Sequence, residues 1–168
     1  MHVFFVAISF MISGLTFQYA KPSLEQLSSE KEAINELING WHKAAANADF
    51  DTFFACMDEE GYYIGTDETE KWSIEEFRTF CKPYFDRGSA WDFKPIERGV
   101  YLNEAKDLAW FDEKLDTWMG VCRSSGVVIK SDSGWKIKHY HLSIAVPNDV
   151  TNDLIELVKK HKADQTKK

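Results

Sequence analysis

This sequence has few cysteines, and its positive charges are outnumbered by its negative ones. Its 168 residues include three cysteines, and their spacing does not match that of metal ligands. We therefore expect no metal site and interpret Cys56, Cys81 and Cys122 as small buried hydrophobic residues. In an exported chain one pair could form a disulfide, and the sequence does not indicate which. The net charge of −7 argues against nucleic acid as a partner, because a phosphate backbone requires a basic surface.

Charged residues are absent from the first twenty positions. The run from Val3 to Phe17 is mostly apolar, but it is too short and too interrupted by Ser and Gly for a membrane span. This pattern is typical of a secretory signal cleaved after Ala20, which predicts a secreted or periplasmic protein. Since no Lys or Arg precedes the run and Gln18 is not small, an uncleaved N-terminal anchor is the alternative.

The first helix is predicted from a cap and a periodic apolar stripe. Ser29 and Glu32 form a capping box, and apolar residues then recur at helical spacing until about Asn47. His42 lies at the edge of this stripe, where we interpret it as a boundary residue rather than as a ligand.

Three short elements are predicted to follow. A short helix covers Asp49 to Met57, with Asp51 as its cap. A short strand covers Tyr62 to Ile64, and the stretch from Gly65 to Lys71 is interpreted as a solvated acidic loop.

The second half of the chain reads mainly as strands. Ser73 and Glu76 form another capping box and predict a third helix, which Pro83 should kink or end early. Four strands are then predicted: Ala90 to Leu102, Asp107 to Thr117, Val121 to Lys130, and Trp135 to Val146. Asn148 and Asp149 cap a last helix. Helices and strands in separate blocks indicate an α+β fold, in which a curved antiparallel sheet wraps around the N-terminal helices.

The last two strands form a predicted hairpin around the turn Ser131 to Gly134. A three-residue loop with a bulge pairs Ser131 with Trp135 and keeps one register along the hairpin. One face of the sheet is then apolar near the turn and polar at its far end, where it carries Arg123, Ser125, His139, His141 and Ser143. A two-residue turn is the alternative. It shifts the register by one residue and leaves Arg123 on the opposite face.

Several stretches resemble a known superfamily. They are Trp41, Tyr62 to Asp67, Trp72, Tyr84-Phe85, Trp110 to Glu113, Arg123 to Val127, and Gly134 to Ser143. Over roughly Ser29 to Pro147 the chain is similar to the nuclear transport factor 2-like superfamily, in its SnoaL-like branch. The final strand also resembles that of the association domain of calcium/calmodulin-dependent kinases.

The resemblance implies a cone-shaped fold that dimerises through the outer face of its sheet. Opposite the histidines, the final strand carries Tyr140, Leu142, Ile144 and Val146, and we expect a second copy of the chain to cover this apolar face. The chain then divides into a signal-like segment (1–20), a polar lead-in (21–28), the SnoaL-like domain (29–147), a C-terminal helix (148–163) and a disordered tail (164–168).

The candidate pocket combines polar groups from the hairpin with aromatic walls. Asp112 and Glu113 compete for the inward position, and Glu113 is favoured because it shares a face with Phe111 and Leu115. Arg123 would hold such a carboxylate ionised, and a histidine can exchange a proton near neutral pH. The predicted pocket residues are Trp41, Tyr62, Trp72, Tyr84, Glu113, Arg123, Ser125, His139, His141 and Ser143.

The signal-like segment predicts export, and the apolar face of the final strand predicts a homodimer. The pocket residues predict that it binds a small hydrophobic or acidic molecule. One alternative is a non-enzymatic association module, and another is an isomerase or hydro-lyase with His141 or Glu113 as base and Arg123 as anion anchor. A purely structural hydrogen-bond network explains the same residues. Residues 139 and 141 have the spacing of two metal ligands but lack a third, so we expect no metal, and no cofactor is implied.

Overall fold

The computed structural model describes residues 23–88 and 90–166. The elements are α1 (Leu24–Ala46), α2 (Phe50–Ala55), β1 (Met57–Ile64), β2 (Lys71–Ser73), α3 (Ile74–Asp86), β3 (Lys94–Leu102), β4 (Leu108–Thr117), β5 (Gly120–Ser131), β6 (Gly134–Ile144), a 3-10 turn (Asn148–Val150) and α4 (Thr151–Gln165). The predicted signal segment, residues 1–20, lies outside the described residues. No described helix is long and apolar enough to cross a membrane.

The caps of the first two helices differ from those predicted. Helix α1 starts earlier than predicted, because Ser23 rather than Ser29 acts as the N-cap and accepts a hydrogen bond from the backbone N–H of Gln26. The hydroxyl of Ser29 instead donates to a backbone carbonyl inside the helix. Helix α2 is capped by Asp49 rather than by Asp51.

The capping box of α3 is confirmed. Ser73 accepts from the backbone of Glu76, and the Glu76 carboxylate accepts from the backbone of Ser73. Pro83 lies within the helix without ending it, since the helix continues to Asp86. The backbone hydrogen bond that proline cannot make belongs to the last turn, where its loss costs least.

A six-stranded sheet in the order β2-β1-β6-β5-β4-β3 forms the second layer. Strands β3 to β6 are an antiparallel meander, as predicted. The sheet as a whole is mixed, because β1 runs parallel to β6. Strand β2 was not predicted; it adds three residues to the edge beside β1, at the end of the predicted acidic loop.

The space between helices and sheet is filled by aromatic side chains. Trp41 meets the ring of Tyr140 edge-on with 4.7 Å between centroids, and Tyr63 stacks on Phe77 at 4.0 Å. Each such pair adds about 0.5–1.5 kcal/mol beyond the burial of its area. The largest fully buried aromatic residues are Trp41, Phe53, Phe54, Phe77, Phe111 and Tyr140. The interior of the curved sheet is therefore a packed core.

The β5–β6 hairpin combines the two predicted registers. Val127 pairs with His139, as the three-residue loop requires, but Val128 pairs with Ile137, as the two-residue turn requires. Lys138 is the extra residue of a bulge between them. Because one inserted residue reverses the alternation of faces, Trp135 and Ile137 at the apolar end of β6 lie on the opposite side of the sheet from His139, His141 and Ser143 at its polar end.

The bulge has a matching irregularity in β1. A Cβ on Gly61 would lie 2.8 Å from the carbonyl oxygen of Asp58 and 2.9 Å from that of Lys138, so only glycine fits there without a shift. The ammonium group of Lys138 donates to the carboxylates of Asp58 and Glu60, at 2.7 and 3.2 Å. These contacts hold the point at which the face of β6 changes.

Candidate functional site

The structure places the polar residues of the predicted pocket on the outer face of the sheet. Arg123, Ser125 and His141 are exposed, and His139 and Ser143 are half-buried. Arg123 forms an ion pair with Glu97 at 2.9 Å, with both side chains more than half exposed. The prediction that the interior of the cone contains this polar group is wrong. The predicted face of β5 points outward along its whole length, and on β6 the bulge turns His139, His141 and Ser143 to the same outer face.

The predicted face for a second copy is also reversed. Tyr140 and Leu142 are buried against the helices, whereas Ile144, near the end of the strand, is exposed. Beyond the bulge, the inward residues Tyr140 and Leu142 were predicted to face outward, and the outward residue His141 was predicted to face inward. The sequence does not reveal the inserted Lys138 that causes this exchange.

The predicted aromatic walls do not meet in one cavity. Trp41 belongs to the buried core, while Tyr62 and Tyr84 are exposed. Trp72 is half-buried and stacks on Phe80 with 4.5 Å between ring centroids. Of the predicted pocket residues, only Glu113 lies among buried polar partners.

Glu113 points inward from β4 and is fully buried. One carboxylate oxygen accepts two hydrogen bonds from the Arg98 guanidinium, at 2.8 and 2.7 Å. The ring nitrogen Nε2 of His42 lies 3.1–3.2 Å from both carboxylate oxygens, and the hydroxyl of Ser124 donates to Oε2 at 3.1 Å. Four residues from three strands and one helix therefore form one buried polar cluster.

Burial and charge act on the Glu113 carboxyl in opposite directions. Burial alone raises its pKa, but the hydrogen bonds and charges of His42 and Arg98 lower the pKa by more, so that the net shift is downward. The carboxylate is consequently ionised at neutral pH and carries a negative charge inside the fold. It is compensated by the Arg98 guanidinium, whose side chain is also buried.

Arg98 joins the sheet to the first helix. It is the cross-strand partner of Glu113, which in turn faces Ser124 on β5. On the helix side its guanidinium donates to the side-chain oxygens of Asn35 and Asn39, at 3.1 and 2.9 Å. The guanidinium thus has partners on both layers, as a buried charge requires.

His42 connects this cluster to the surface. It lines a cleft of about 450 Å³ between α1 and the start of β3, together with Asn39, Lys43, Ala46, Asp92, Phe93, Lys94 and Pro95. An ionised carboxylate only accepts hydrogen bonds, so Nε2 of His42 carries the proton that it donates to Glu113. In the neutral ring, Nδ1 is then the nitrogen with a free lone pair, and no described residue donates to it.

Tyr140 lies behind the cluster. Its hydroxyl is buried and has no hydrogen bond of good geometry within the described residues, although the Ser124 hydroxyl is close to it. Burial, and then the charges of Tyr63 and Glu113, raise the pKa of Tyr140 well above its ordinary value. The phenol is therefore neutral in the folded protein.

The sequence alone does not reveal the roles of His42 and Arg98. His42 was interpreted as a boundary residue of α1, and Arg98 drew no interpretation at all. Arg98 is a charged residue in the middle of a strand, which is a local signal that its side chain has a special role. Its partner Glu113, however, lies 15 residues away, and His42 lies 71 residues from Glu113. Within the described residues, no group of three or more side chains is arranged to hold a metal ion.

The family is decided by a match over most of the chain. Residues 34–147 match the model of the SnoaL-like domain family. The chain belongs to the SnoaL-like domain family. A comparison with curated proteins finds no match.

Solved structures with this fold include proteins of several kinds. A candidate aromatic ring hydroxylase from Novosphingobium aromaticivorans is 17% identical, with a TM-score of 0.62 over 71% of this chain and 92% of that one. A candidate dehydratase of the nuclear transport factor 2-like family from Streptomyces avermitilis is 14% identical, with a TM-score of 0.61 over 72% and 99% of the two chains.

A candidate calcium/calmodulin-dependent protein kinase II association domain from Xanthomonas campestris is similar as well. It is 21% identical, with a TM-score of 0.55 over 79% of this chain and 99% of that one. At these identities the likeness concerns the fold, and a SnoaL-like fold is compatible with both catalysis and association.

Proposed function

We propose that this SnoaL-like protein binds a small molecule in the cleft beside His42 and that His42 exchanges a proton with it. The observation that carries the proposal is the position of the ring between a buried ionised carboxylate and an open cleft. Glu113 orients the imidazole and selects its tautomer, which leaves the basic nitrogen for a bound molecule. The proposed binding site is thus the cleft between α1 and the start of β3, rather than the interior of the cone.

The chemistry of this arrangement is general acid–base catalysis. Nδ1 of His42 would take a proton from a C–H or O–H group of the bound molecule, and the positive charge on the ring would be stabilised by the Glu113 carboxylate. Returning the proton to another carbon gives an isomerisation, and giving it to a departing hydroxyl gives a dehydration. The dehydratase named among the structural neighbours makes the second reaction worth assaying first.

A thermal-shift screen of small carboxylates, steroids and polyketide-like aromatics tests the proposal. A ligand at a hundred times its dissociation constant should raise the free energy of unfolding by about 2.7 kcal/mol. We expect the shift to disappear in His42→Gln, in which the amide can still donate to Glu113, and to persist in His141→Gln on the outer face. A ligand whose binding needs His141 but not His42 would contradict the proposal.

We further propose that the protein is a homodimer formed through the outer face of the sheet. Cross-strand partners form a continuous row there: Tyr62, His139, Val127, Trp110 and Tyr101. The three large aromatic residues of the row, Tyr62, Trp110 and Tyr101, are 47%, 48% and 46% exposed. A row of this kind across five strands is typical of a surface that a partner covers.

Sedimentation of two tryptophan variants tests the dimer. Trp110→Asp should dissociate it, because the aspartate would be buried within the row without a partner. Trp118→Asp is the matched control, since Trp118 lies in the β4–β5 turn and is 82% exposed. A monomeric wild-type protein at micromolar concentration would refute this assembly.

Export remains part of the proposal and rests on the apolar residues 3–17. Mass spectrometry of the protein recovered from the host's extracytoplasmic fraction should show a chain that begins at Lys21. A full-length chain in the membrane fraction would instead favour the uncleaved anchor.

A further inference from the structure

The cleft beside His42 carries an excess of positive charge on a strongly acidic chain. Lys43 on α1 and Lys94 at the start of β3 lie on its two sides, with Asp92 as the acidic residue in its lining. Asp92 is 3.5 Å from Lys94, so that it compensates one of the two ammonium groups. Lys43 forms no ion pair with a described residue and leaves one cation in excess, on a chain whose net charge is −7.

The other lining groups add an apolar surface and directed polar atoms. Phe93 is buried and its ring lies 6.4 Å from that of His42, and Pro95 and Ala46 complete an apolar strip. The side-chain oxygen of Asn39 accepts from Arg98, which leaves the amide nitrogen free to donate. In its neutral form the ring of His42 offers an acceptor in Nδ1, because Nε2 carries the proton and donates to Glu113.

We infer that the ligand of this cleft is an aromatic hydroxy acid. Its carboxylate is held by Lys43 and Lys94, its hydroxyl donates to Nδ1 of His42, and its ring lies on Phe93 and Pro95. The inference rests on the proposed function and narrows the ligand to one chemical class. It differs from the predicted anchor, Arg123, which lies on the outer face and is already paired with Glu97.

The two polar groups of this ligand match two groups of the cleft, the Lys43 ammonium and Nδ1 of His42, that have no ion-pair or hydrogen-bond partner among the described residues. A carboxylate replaces the missing counter-ion of Lys43, and charge-assisted hydrogen bonds to ammonium groups are about twice as strong as neutral ones. A phenolic hydroxyl is the kind of donor that a neutral imidazole accepts, and its proton is the one that His42 would take. A neutral hydrocarbon of the same shape would leave these polar atoms unsatisfied.

Salicylate and salicylamide test the inference because they share their shape and hydroxyl group and differ in charge. We expect salicylate to shift the His42 ring resonances in nuclear magnetic resonance titrations and to bind at least tenfold more tightly than salicylamide. In the double variant Lys43→Met/Lys94→Met, the affinity for salicylate should fall by about tenfold, since each exposed ion pair contributes up to about fivefold. Benzoate, which lacks the hydroxyl, should bind more weakly than salicylate to the wild type.

One control variant and two contrary outcomes make the test decisive. Lys160→Met on α4 removes a lysine outside the cleft and should leave the affinity for salicylate unchanged. Equal affinities for salicylate and salicylamide, both dependent on His42, would overturn the inference and leave the proposed function intact. If neither compound perturbs His42, the inference fails, and the wider thermal-shift screen then decides the proposed function by whether any ligand depends on His42.

Discussion

At the scale of single residues, the main feature of the structure is one buried acid, Glu113. Glu113 has three protein partners, Arg98, His42 and Ser124, and each comes from a different element. A buried ion pair of this kind adds little net stability compared with apolar residues, but breaking it leaves an uncompensated charge inside the fold. Its presence in an otherwise aromatic core is the feature that a purely structural role explains least well.

Two Glu→Gln variants compare a buried Arg–Glu ion pair with an exposed one. Glu113→Gln leaves the Arg98 guanidinium buried without its counter-ion, and we expect a loss of about 3–5 kcal/mol in the free energy of unfolding. Glu97→Gln breaks the surface pair with Arg123 and should cost less than about 1 kcal/mol. Urea denaturation measures both, and equal losses would show that the Glu113 charge is not important for the fold.

The lowered pKa of Glu113 predicts that acid destabilises the protein. The contribution of a carboxyl whose pKa is lower in the folded state is present above its ordinary pKa of 4.5, and is lost as the pH falls through the lowered folded value. The urea midpoint should therefore decrease below about pH 4.5. In Glu113→Gln this decrease should be smaller, and an unchanged pH dependence would contradict the lowered pKa.

Most residues of the site could not be predicted because their roles depend on distant partners. Glu113 was favoured as the inward carboxylate from its neighbours Phe111 and Leu115, and the structure indeed buries it. The position of Arg98 in the middle of a strand is unusual, but the roles of Arg98 and His42 follow only from their contacts with Glu113. Arg123 has the same chemistry as Arg98, but it lies on the outer face.

At the scale of elements, caps and periodicity predicted most of the helices and strands. The capping box at Ser73 is confirmed, and the four strands of the meander lie where the β-rich runs predict them. Errors occur at α1, where Ser23 precedes the box at Ser29, and at β2, which consists of three residues. Strands this short form through pairing with a neighbour rather than through their own sequence.

A pair of glycine variants tests the irregularity of β1 beside the β6 bulge. In Gly61→Ala the new Cβ would lie within 3 Å of two backbone carbonyl oxygens, which cannot easily move, so we expect a loss of about 1–3 kcal/mol. In Gly40→Ala the Cβ meets nothing within 4 Å inside helix α1, so stability should rise by up to about 1 kcal/mol. Thermal denaturation of both variants measures the difference, and a neutral Gly61→Ala would contradict the close approach.

At the scale of the whole molecule, the aromatic core couples the helices to the sheet. Tyr63 and Tyr140 stack at 5.4 Å between ring centroids, and Trp41 of α1 and Phe77 of α3 each contact this pair. Burial is the main reason why the pKa of each phenol is raised. Ionising either tyrosine would place a charge where α1 and α3 pack against the sheet.

Alkaline conditions should therefore unfold the whole molecule in one transition. The contribution of a phenol whose pKa is raised in the folded state is complete below its ordinary pKa of 10.0 and is lost as the pH rises above it. We expect part of the tyrosinate absorbance to appear together with the loss of circular dichroism. In Tyr140→Phe this late absorbance should be smaller, and full ionisation of the wild type before unfolding would contradict the prediction.

By itself the sequence determined the order of the elements, the α+β class and the SnoaL-like family, because capping residues, apolar periodicity and family stretches such as Trp135 to Ser143 are local signals. Only the tertiary structure decided which face of the sheet each residue occupies. A single bulge residue, Lys138, reverses that assignment for the far half of β6, and its effect depends on pairing with β1 and β5. The meeting of His42, Arg98 and Glu113 is likewise tertiary, since the three come from separate elements whose relative register no local pattern encodes.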